Sequence, residues 1–136
     1  TEGRLHLAEL APVHAIRRLV EFTFDHHDRN VDFVRIVAIE NIHNAEYVKQ
    51  SRVIKAMNST ILDSLDLILR RGAEEGVFRA GLAPLDVHLL ISSFCFHRVS
   101  NRHTFGEIFQ IDLSDEAIKQ RHRQMICESV LRYLQA

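Results

Sequence analysis

The middle of the chain reads Arg70-Arg71-Gly72-Ala73-Glu74-Glu75-Gly76-Val77-Phe78-Arg79, and soon afterwards Ala83-Pro84-Leu85-Asp86-Val87-His88-Leu89-Leu90-Ile91. Gly76 stands where a helix ends in a left-handed C-cap, a conformation that glycine adopts without steric cost. Pro84 suits the first turn of a following helix, because a backbone N–H at that position has no partner within the helix. These residues predict one helix that ends near Gly72, a short connector over 77–82, and a second helix that Pro84 begins.

Helical periodicity extends in both directions from this junction. Upstream, a helix from about Ser51 to Ala73 is predicted, with polar residues opposite an apolar stripe of Val53, Ile54, Met57, Ile61, Leu65, Ile68 and Leu69. Downstream, a helix from Leu85 to about Arg102 is apolar around most of its circumference, with Leu89, Leu90, Ile91, Phe94, Cys95, Phe96 and Val99.

Three more segments complete the predicted secondary structure. Pro12 opens a first helix with the apolar face Val13, Ile16, Leu19, Val20 and Phe24, which the polar cluster 25–30 ends. Asn30 or Asp32 then caps a second helix over 33–42, so apolar that we expect it to be the buried core helix. After a short segment over 105–109, Ser114 is the N-cap candidate of a last helix that carries Ile118, Met125, Ile126, Val130, Tyr133 and Leu134. The prediction is an all-α fold, an antiparallel bundle of about five helices.

Length and charge limit what this chain does by itself. At 136 residues it has the size of a single domain, which we assign to 1–136. Its 17 Lys and Arg against 18 Asp and Glu give a net charge of -1, so direct binding to nucleic acid is not expected. The apolar runs are too short for a membrane span. The chain opens on Thr1 rather than Met, and we expect it to belong to a longer polypeptide.

The two cysteines, Cys95 and Cys127, lie in apolar helical stretches and are too few for a disulfide framework. We expect reduced thiols and a cytoplasmic protein. The sequence contains no Cys-x-x-Cys, Gly-x-Ser-x-Gly, P-loop or dinucleotide-binding pattern, so catalysis has little support, and no cofactor is predicted.

Metal chemistry is the alternative that the nine histidines raise. Glu40 and His43 have the Glu-x-x-His spacing that places two ligands on one helix face. A di-iron bundle needs this motif twice, together with a Glu from each of two further helices, and here it occurs once. A helical-bundle metal-binding protein or enzyme that uses Glu40 and His43 therefore remains the alternative function.

Polar residues inside the apolar helices need partners, because a buried charge is costly unless it is paired. Arg35 with Glu40 is a candidate structural ion pair. The remaining polar residues of the second and fourth helices are candidates to orient a ligand in a pocket lined by aromatic side chains. The surplus of apolar helix surface also suggests a second subunit on the fourth and last helices, although the fourth helix could instead lie at the centre of a monomer.

The order of these elements resembles the C-terminal effector-binding and dimerisation domain of TetR-family transcriptional regulators, particularly the branch of pyrimidine-responsive repressors. The likeness runs from the helix opened by Pro12 through Phe33-Val34-Arg35-Ile36-Val37-Ala38-Ile39-Glu40-Asn41 and the two stretches quoted first, to the helix from Ser114 to Leu134. The family's N-terminal helix-turn-helix has no match in this chain, so DNA would be bound only through that missing domain.

The resemblance implies a homodimer through the helices Pro84–Arg102 and Ser114–Gln135. The residues it places in the interface are Phe94, Cys95, Arg98, Arg102, His122, Met125, Ile126, Ser129 and Tyr133. It also implies that a small-molecule effector modulates DNA binding, and that the regulator is a repressor. An interaction module with a fully packed core and no small ligand is a third possibility.

The expected effector site lies among the helices before the last two. Ser92 and Phe96 match positions that face the effector in the pyrimidine-responsive branch, but the residue types differ, so that branch's ligand is not carried over. Phe22, His26, Arg35 and Asn41 are added by helix face and polarity. Aromatic walls with His and Arg nearby favour a small aromatic or carboxylated molecule.

Overall fold

The helices account for most of the part of the chain that the computed structural model describes, namely the backbone of residues 7–136 and the side chains of 7–49, 51 and 60–136. In chain order they are α1 (Pro12–Arg29), α2 (Val31–Ile42), α3 (Arg52–Glu74), α4 (Pro84–Ser100), α5 (Arg102–Phe109) and α6 (Glu116–Leu134). Short 3-10 turns occupy Leu7–Glu9 and Val48–Gln50. The all-α prediction is confirmed, and the short segment over 105–109 becomes the helix α5. The stripe residues Val53, Ile54 and Met57 lie outside the described side chains.

The hydrophobic core forms around α1, which packs against α3, α4 and α6. One face of α1 is fully covered, with Ala15, Ile16, Val20 and Phe24 at most 2% exposed. The other helices contribute buried side chains to the same core: Leu65, Ile68, Leu69, Val87, Ile91, Cys95, Ile126, Cys127, Val130 and Leu134. The predicted apolar face of the first helix therefore provides the centre of the bundle.

The prediction that the second helix is the buried core helix is wrong. In α2 only Val34 is buried, whereas Phe33 is 51%, Ile36 is 60% and Ile42 is 74% exposed. The reason is topological: α2 has twelve residues and rests on α1 and α4 along one narrow side at the edge of the bundle. An apolar pattern around a helix shows which surface favours burial, but it does not supply the elements that cover it.

The connector between α3 and α4 follows the sequence prediction. Gly76 has φ +75°, the left-handed conformation expected of a C-cap, and Gly81 has φ +78°. The amides of Val77 and Phe78 both donate to the carbonyl of Gly72, at 3.0 and 3.1 Å, which ends α3 tightly. Pro84 is the first residue of α4, as predicted.

Arg79 fastens this connector to the C-terminal end of α6. Its backbone amide donates to Leu134 O at 2.8 Å, and its Nε donates to Tyr133 O at 2.9 Å. Its guanidinium also lies 4.5 Å from the centroid of the Tyr133 ring, a cation–π geometry. Arg79, three residues after the C-cap glycine Gly76, therefore holds the last helix in place.

One of the two predicted helix caps is wrong, and the other is right in position but lacks the expected side-chain hydrogen bond. The N-cap of α6 is Asp115, whose carboxylate accepts from Ile118 N at 3.2 Å, while the amide and hydroxyl of Ser114 donate to Asp112 Oδ1. Asn30 is the N-cap residue of α2, as predicted, but its side chain donates from Nδ2 to His26 O at 2.7 Å and forms no capping hydrogen bond with α2. In both cases the side chain forms a hydrogen bond with a residue that precedes it in the chain instead of with the first turn of the following helix.

Ion pairs join the last turns of α1 to α6. Arg123 contacts Asp25 through Nε and Nη2, at 3.0 and 2.9 Å, and Glu21 through Nη1 at 3.3 Å. Lys119 contacts Asp28 at 3.1 Å. The polar cluster 25–30 thus contributes the last turns of α1 itself, and two of its carboxylates hold that end against α6. We refer to these contacts as the α1–α6 ion pairs.

Candidate functional site

Aromatic and histidine rings gather where α1, α2 and α4 meet. The ring centroids of Phe22 and His26 lie 5.7 Å apart, those of His26 and Phe33 6.2 Å apart, and those of His27 and Phe96 6.2 Å apart. Phe22 and His26 are one turn apart on α1, and the break at 30 turns the chain so that Phe33 returns beside them. These five residues form the aromatic cluster, a mostly apolar wall with two imidazoles in it.

His27 presents one defined nitrogen lone pair. Its Nδ1 lies 2.8 Å from Thr23 O, and because a carbonyl oxygen only accepts, Nδ1 carries the proton of the neutral ring. Nε2 of the neutral imidazole is then an acceptor, and it becomes a donor when the ring is protonated. Such a nitrogen can bind either a ligand hydroxyl or, once protonated, a ligand anion.

Two neighbouring histidines stay neutral near pH 7. Burial, and secondarily the charge of His27, lowers the pKa of His26 and of His88 below the ordinary value. His88, Ser92 and Phe96 are spaced four residues apart on α4, so they share one face of that helix. His88 therefore belongs to the face of α4 that meets His27.

The structure brings together part of the predicted effector site. Phe22, His26 and Phe96 are in the aromatic cluster, and Ser92 shares the face of α4 that carries Phe96. Arg35 and Asn41 are exposed on α2, and neither forms a side-chain hydrogen bond among the described residues.

Sequence reasoning missed three members of this region: His27, Phe33 and His88. The four-residue spacing from His88 through Ser92 to Phe96 was the available signal for His88. His27 follows His26 directly, so the two side chains point to different sides of α1, and the His27 ring meets Phe96 of α4.

The expected ion pair between Arg35 and Glu40 is wrong. Five residues along a helix place two side chains roughly 140° apart around the axis, too far round to face each other. Glu40 Oε2 instead accepts from the backbone amides of Tyr47 and Val48, at 3.1 and 3.2 Å, and so fixes the turn after α2. In the described part of the chain, no three or more His, Cys, Asp or Glu side chains are placed to hold a metal ion.

The predicted dimer residues divide into two groups. Met125 and Tyr133 are 44% and 45% exposed, Ser129 is exposed, and Phe94, Arg102 and His122 are half-buried. Phe94 on α4 and His122 on α6 meet edge to face, with centroids 6.1 Å apart. Cys95, Arg98 and Ile126 are at most 6% exposed inside the protomer, so they offer little surface to a partner. We call the surface formed by Phe94, His122, Met125, Ser129 and Tyr133 the α4–α6 face.

Arg98 is a buried cation that contacts three other elements. Its Nε donates to His122 Nδ1 at 3.0 Å, its Nη2 donates to Leu113 O at 2.7 Å, and its guanidinium lies 4.7 Å from the Phe24 ring centroid. Burial lowers its pKa, although Asp28 and Cys95 act in the opposite direction. Among the described residues it forms no ion pair with a carboxylate, so the backbone carbonyl, the imidazole and the aromatic face supply its contacts.

The two thiols do not suit nucleophilic chemistry. Burial raises the pKa of Cys95 to about 12 and that of Cys127 to about 11, so neither forms an appreciable thiolate near pH 7. Cys127 lines a polar surface pocket of about 170 Å³ between α1 and α6, together with Arg17, Glu21, Gln120, Arg123 and Gln124. Arg123 already binds Glu21 there, so the two charges satisfy each other.

Comparison with known proteins assigns the chain to a family. Residues 12–130 match the family model described as "Tetracyclin repressor-like, C-terminal domain". The chain is 32% identical over 133 residues to the HTH-type transcriptional repressor NicS of Pseudomonas putida, an alignment that covers 98% of this chain and 63% of that protein. The chain thus spans less than two thirds of this relative. None of the described helices is long and apolar enough to cross a membrane. The chain belongs to the TetR family of transcriptional regulators and corresponds to its C-terminal domain.

Proposed function

We propose that this chain is the ligand-sensing and dimerisation domain of a transcriptional repressor, in which a helix-turn-helix outside the chain binds DNA. The aromatic cluster carries the proposal, because in a regulator's C-terminal domain it joins three helices around polar groups that can orient a small molecule. The relative NicS is named an HTH-type repressor, and the chain matches only 63% of it, which agrees with a DNA-binding segment elsewhere. The two free cysteines suit a cytoplasmic location, where thiols are kept reduced.

The proposed effector is a small aromatic or carboxylated molecule. Phe22, Phe33 and Phe96 offer ring faces and edges for stacking against a flat apolar group. A bound carboxylate would raise the pKa of His88, which burial otherwise lowers, and the protonated ring would then donate a hydrogen bond to it. Arg35, exposed on the same helix as Phe33, is the candidate cation that the sequence analysis assigned to the effector.

The proposed response passes from α1 to the dimer. A ligand in the aromatic cluster contacts the last turns of α1, which the α1–α6 ion pairs attach to a helix of the α4–α6 face. A small displacement of α1 is therefore transmitted to the helices that set the distance between the two protomers. Two DNA-reading domains whose spacing changes no longer fit successive major grooves of an operator.

Sedimentation of charge-substituted variants tests the homodimer. Met125→Glu places a charge in the middle of the α4–α6 face, and we expect it to convert a dimer at micromolar concentration into a monomer. Leu67→Glu is the matched control, since Leu67 on α3 is also about half exposed, at 51%, but lies outside that face. A wild-type chain that sediments only as a monomer would remove the dimer from the proposal.

Titration with small probes tests the effector class. Benzoate combines a ring with a carboxylate, whereas benzyl alcohol offers the ring and acetate the carboxylate alone. We expect benzoate to shift the NMR signals of His26 and His27 at lower concentration than either partial probe, and Phe96→Ala to weaken this response. Phe109→Ala is the control, because Phe109 is an exposed aromatic residue on α5. Equal responses of both variants, or none in the wild type, would contradict the assignment.

A further inference from the structure

We infer that Arg98 and His122 form a proton-sensitive link between the interior of the protomer and the α4–α6 face, so that acidification weakens the homodimer. This inference rests on the proposed function, because the homodimer is part of it. The link joins a buried cation to a half-buried imidazole on the outer helix α6.

The hydrogen bond defines the protonation state of His122. Nε of an arginine carries a proton and cannot accept, so the 3.0 Å contact requires an unprotonated Nδ1 on His122. The folded protomer therefore holds this histidine as the neutral ring with its proton on Nε2. A second proton on Nδ1 would place one N–H against another and break the contact.

The surrounding charges reinforce the neutral form. Burial, then Arg98 on α4 and Arg121 on α6, all lower the pKa of His122. On α1, Asp28 is bonded to Lys119, and Asp25 is bonded to Arg123. No carboxylate in the described part of the chain contacts His122, so no ion pair there stabilises its imidazolium form.

His122 also contributes to the surface that a second subunit would cover. Its ring stands edge-on to Phe94, and Met125 and Ser129 follow it by three and seven residues on the same side of α6. Protonation would release the ring from Arg98 and place a charge in a mostly apolar contact, which is unfavourable without a partner. A two-fold dimer contains the link twice, so protonation would weaken the dimer at two positions.

Arg98 extends the consequence into the protomer. The same guanidinium holds Leu113 O, just before α6, and lies over Phe24 on α1. Loss of the imidazole leaves a buried N–H of Arg98 without a partner, which favours rearrangement of the start of α6. Protonation of His122 would therefore change both the α4–α6 face and the buried Arg98 contacts that support it.

The dimer dissociation constant, measured by sedimentation equilibrium at pH 7.5 and pH 5.5, tests the link. We expect it to rise on acidification, roughly tenfold per histidine for each unit by which dimerisation lowers the His122 pKa. His122→Asn keeps an acceptor oxygen near the position of Nδ1 but does not titrate, so most of the pH dependence should disappear. His43→Asn, at an exposed position after α2, should leave it unchanged.

The possible outcomes separate the inference from the proposed function. A monomer at both pH values removes the homodimer itself, whereas a dimer whose dissociation constant ignores pH, or responds equally in His122→Asn, overturns only the link. The nitrogen-15 shifts of the wild-type imidazole give a second measurement that needs no variant. They should show the proton on Nε2 and a pKa below about 6.5, and a proton on Nδ1 at neutral pH would overturn the link as well.

Discussion

The ring of Phe78 packs directly against the α-carbon of Gly72, in the space that a side chain at residue 72 would occupy. A Cβ built on Gly72 would overlap Phe78 Cγ and Cε2, at 2.6 and 2.7 Å. Phe78 is only 3% exposed, so its ring has little room to move aside. The close approach allows the chain to turn back at the end of α3 while both backbone amides after Gly76 bond to Gly72 O.

Gly72→Ala should therefore destabilise the protein despite the higher helix propensity of alanine. The propensity gain is about 1 kcal/mol, whereas overpacking a buried ring costs roughly 1–3 kcal/mol. Urea denaturation should show a lower midpoint for Gly72→Ala in the wild type. In a Phe78→Ala background the ring is absent, and the same substitution should be neutral or stabilising. A Gly72→Ala effect that is identical in both backgrounds would show that the ring is not the cause.

Ala45→Gly should stabilise the turn after α2. Ala45 has φ +59° and follows Asn44 at φ +57°, and an L-residue with a Cβ pays roughly 1–2 kcal/mol in this left-handed region. Glycine removes that strain, and we expect a gain of about 1 kcal/mol in the free energy of unfolding, less the entropy that glycine adds to the unfolded chain. Ala38→Gly, in the middle of α2, is the control and should destabilise by about 1 kcal/mol. A loss of stability in Ala45→Gly would argue against strain there.

Arg123→Ala should cost more than removal of an exposed ion pair. Its side chain is 27% exposed, binds Asp25 through two nitrogens and reaches Glu21, so it ties two helices together. We expect a loss of about 1–2 kcal/mol, against at most about 0.5 kcal/mol for Arg132→Ala. The pair of Arg132 with Glu128 lies within one helix, and both side chains are more than half exposed. Thermal unfolding of the two variants at low and high salt would measure the difference, and equal losses would contradict it.

Stability should fall as the solution is acidified below about pH 6.5. The folded-state pKa values of His26, His88 and His122 are lowered, mainly by burial, so the unfolded chain binds protons more readily. The contribution of these histidines to the free energy of unfolding is fully present above the pKa of the unfolded chain, near 6.5. It is lost as the pH falls from there through their lower folded-state pKa values. The urea midpoint should be lower at pH 5.5 than at pH 7.5, and His88→Gln should reduce that difference. The control is His103→Gln on the exposed surface of α5, which should not reduce it.

Local sequence signals predicted the backbone well where one residue type determines the geometry. Gly76 and Pro84 marked the end of α3 and the start of α4, because a positive φ and a missing N–H have few alternatives. The cap at Ser114 was wrong, and Asn30 caps α2 in position only, because a polar side chain has several possible partners and these two bind Asp112 and His26 O.

Burial was harder to predict than helicity. The pattern of α2 indicated a core helix, yet the core formed around α1, because connectivity places α2 at the edge of the bundle. The candidate site shows the same limit. Phe22 and His26 were identified from helix face and polarity, and Phe96 from the family resemblance, but the contact between His27 and Phe96 depends on the angle at which α1 and α4 meet. A single sequence does not encode that angle in any local pattern.

The uncovered surface of α2 has a consequence for work with the purified chain. With a net charge of -1, molecules repel one another weakly, and exposed apolar side chains favour unspecific self-association. Ile36, at 60% exposed, stands near the middle of this surface. Oligomers formed through α2 would obscure those formed through the α4–α6 face, so an Ile36→Lys background makes the sedimentation results interpretable. The same substitution should raise the concentration at which the chain stays in solution.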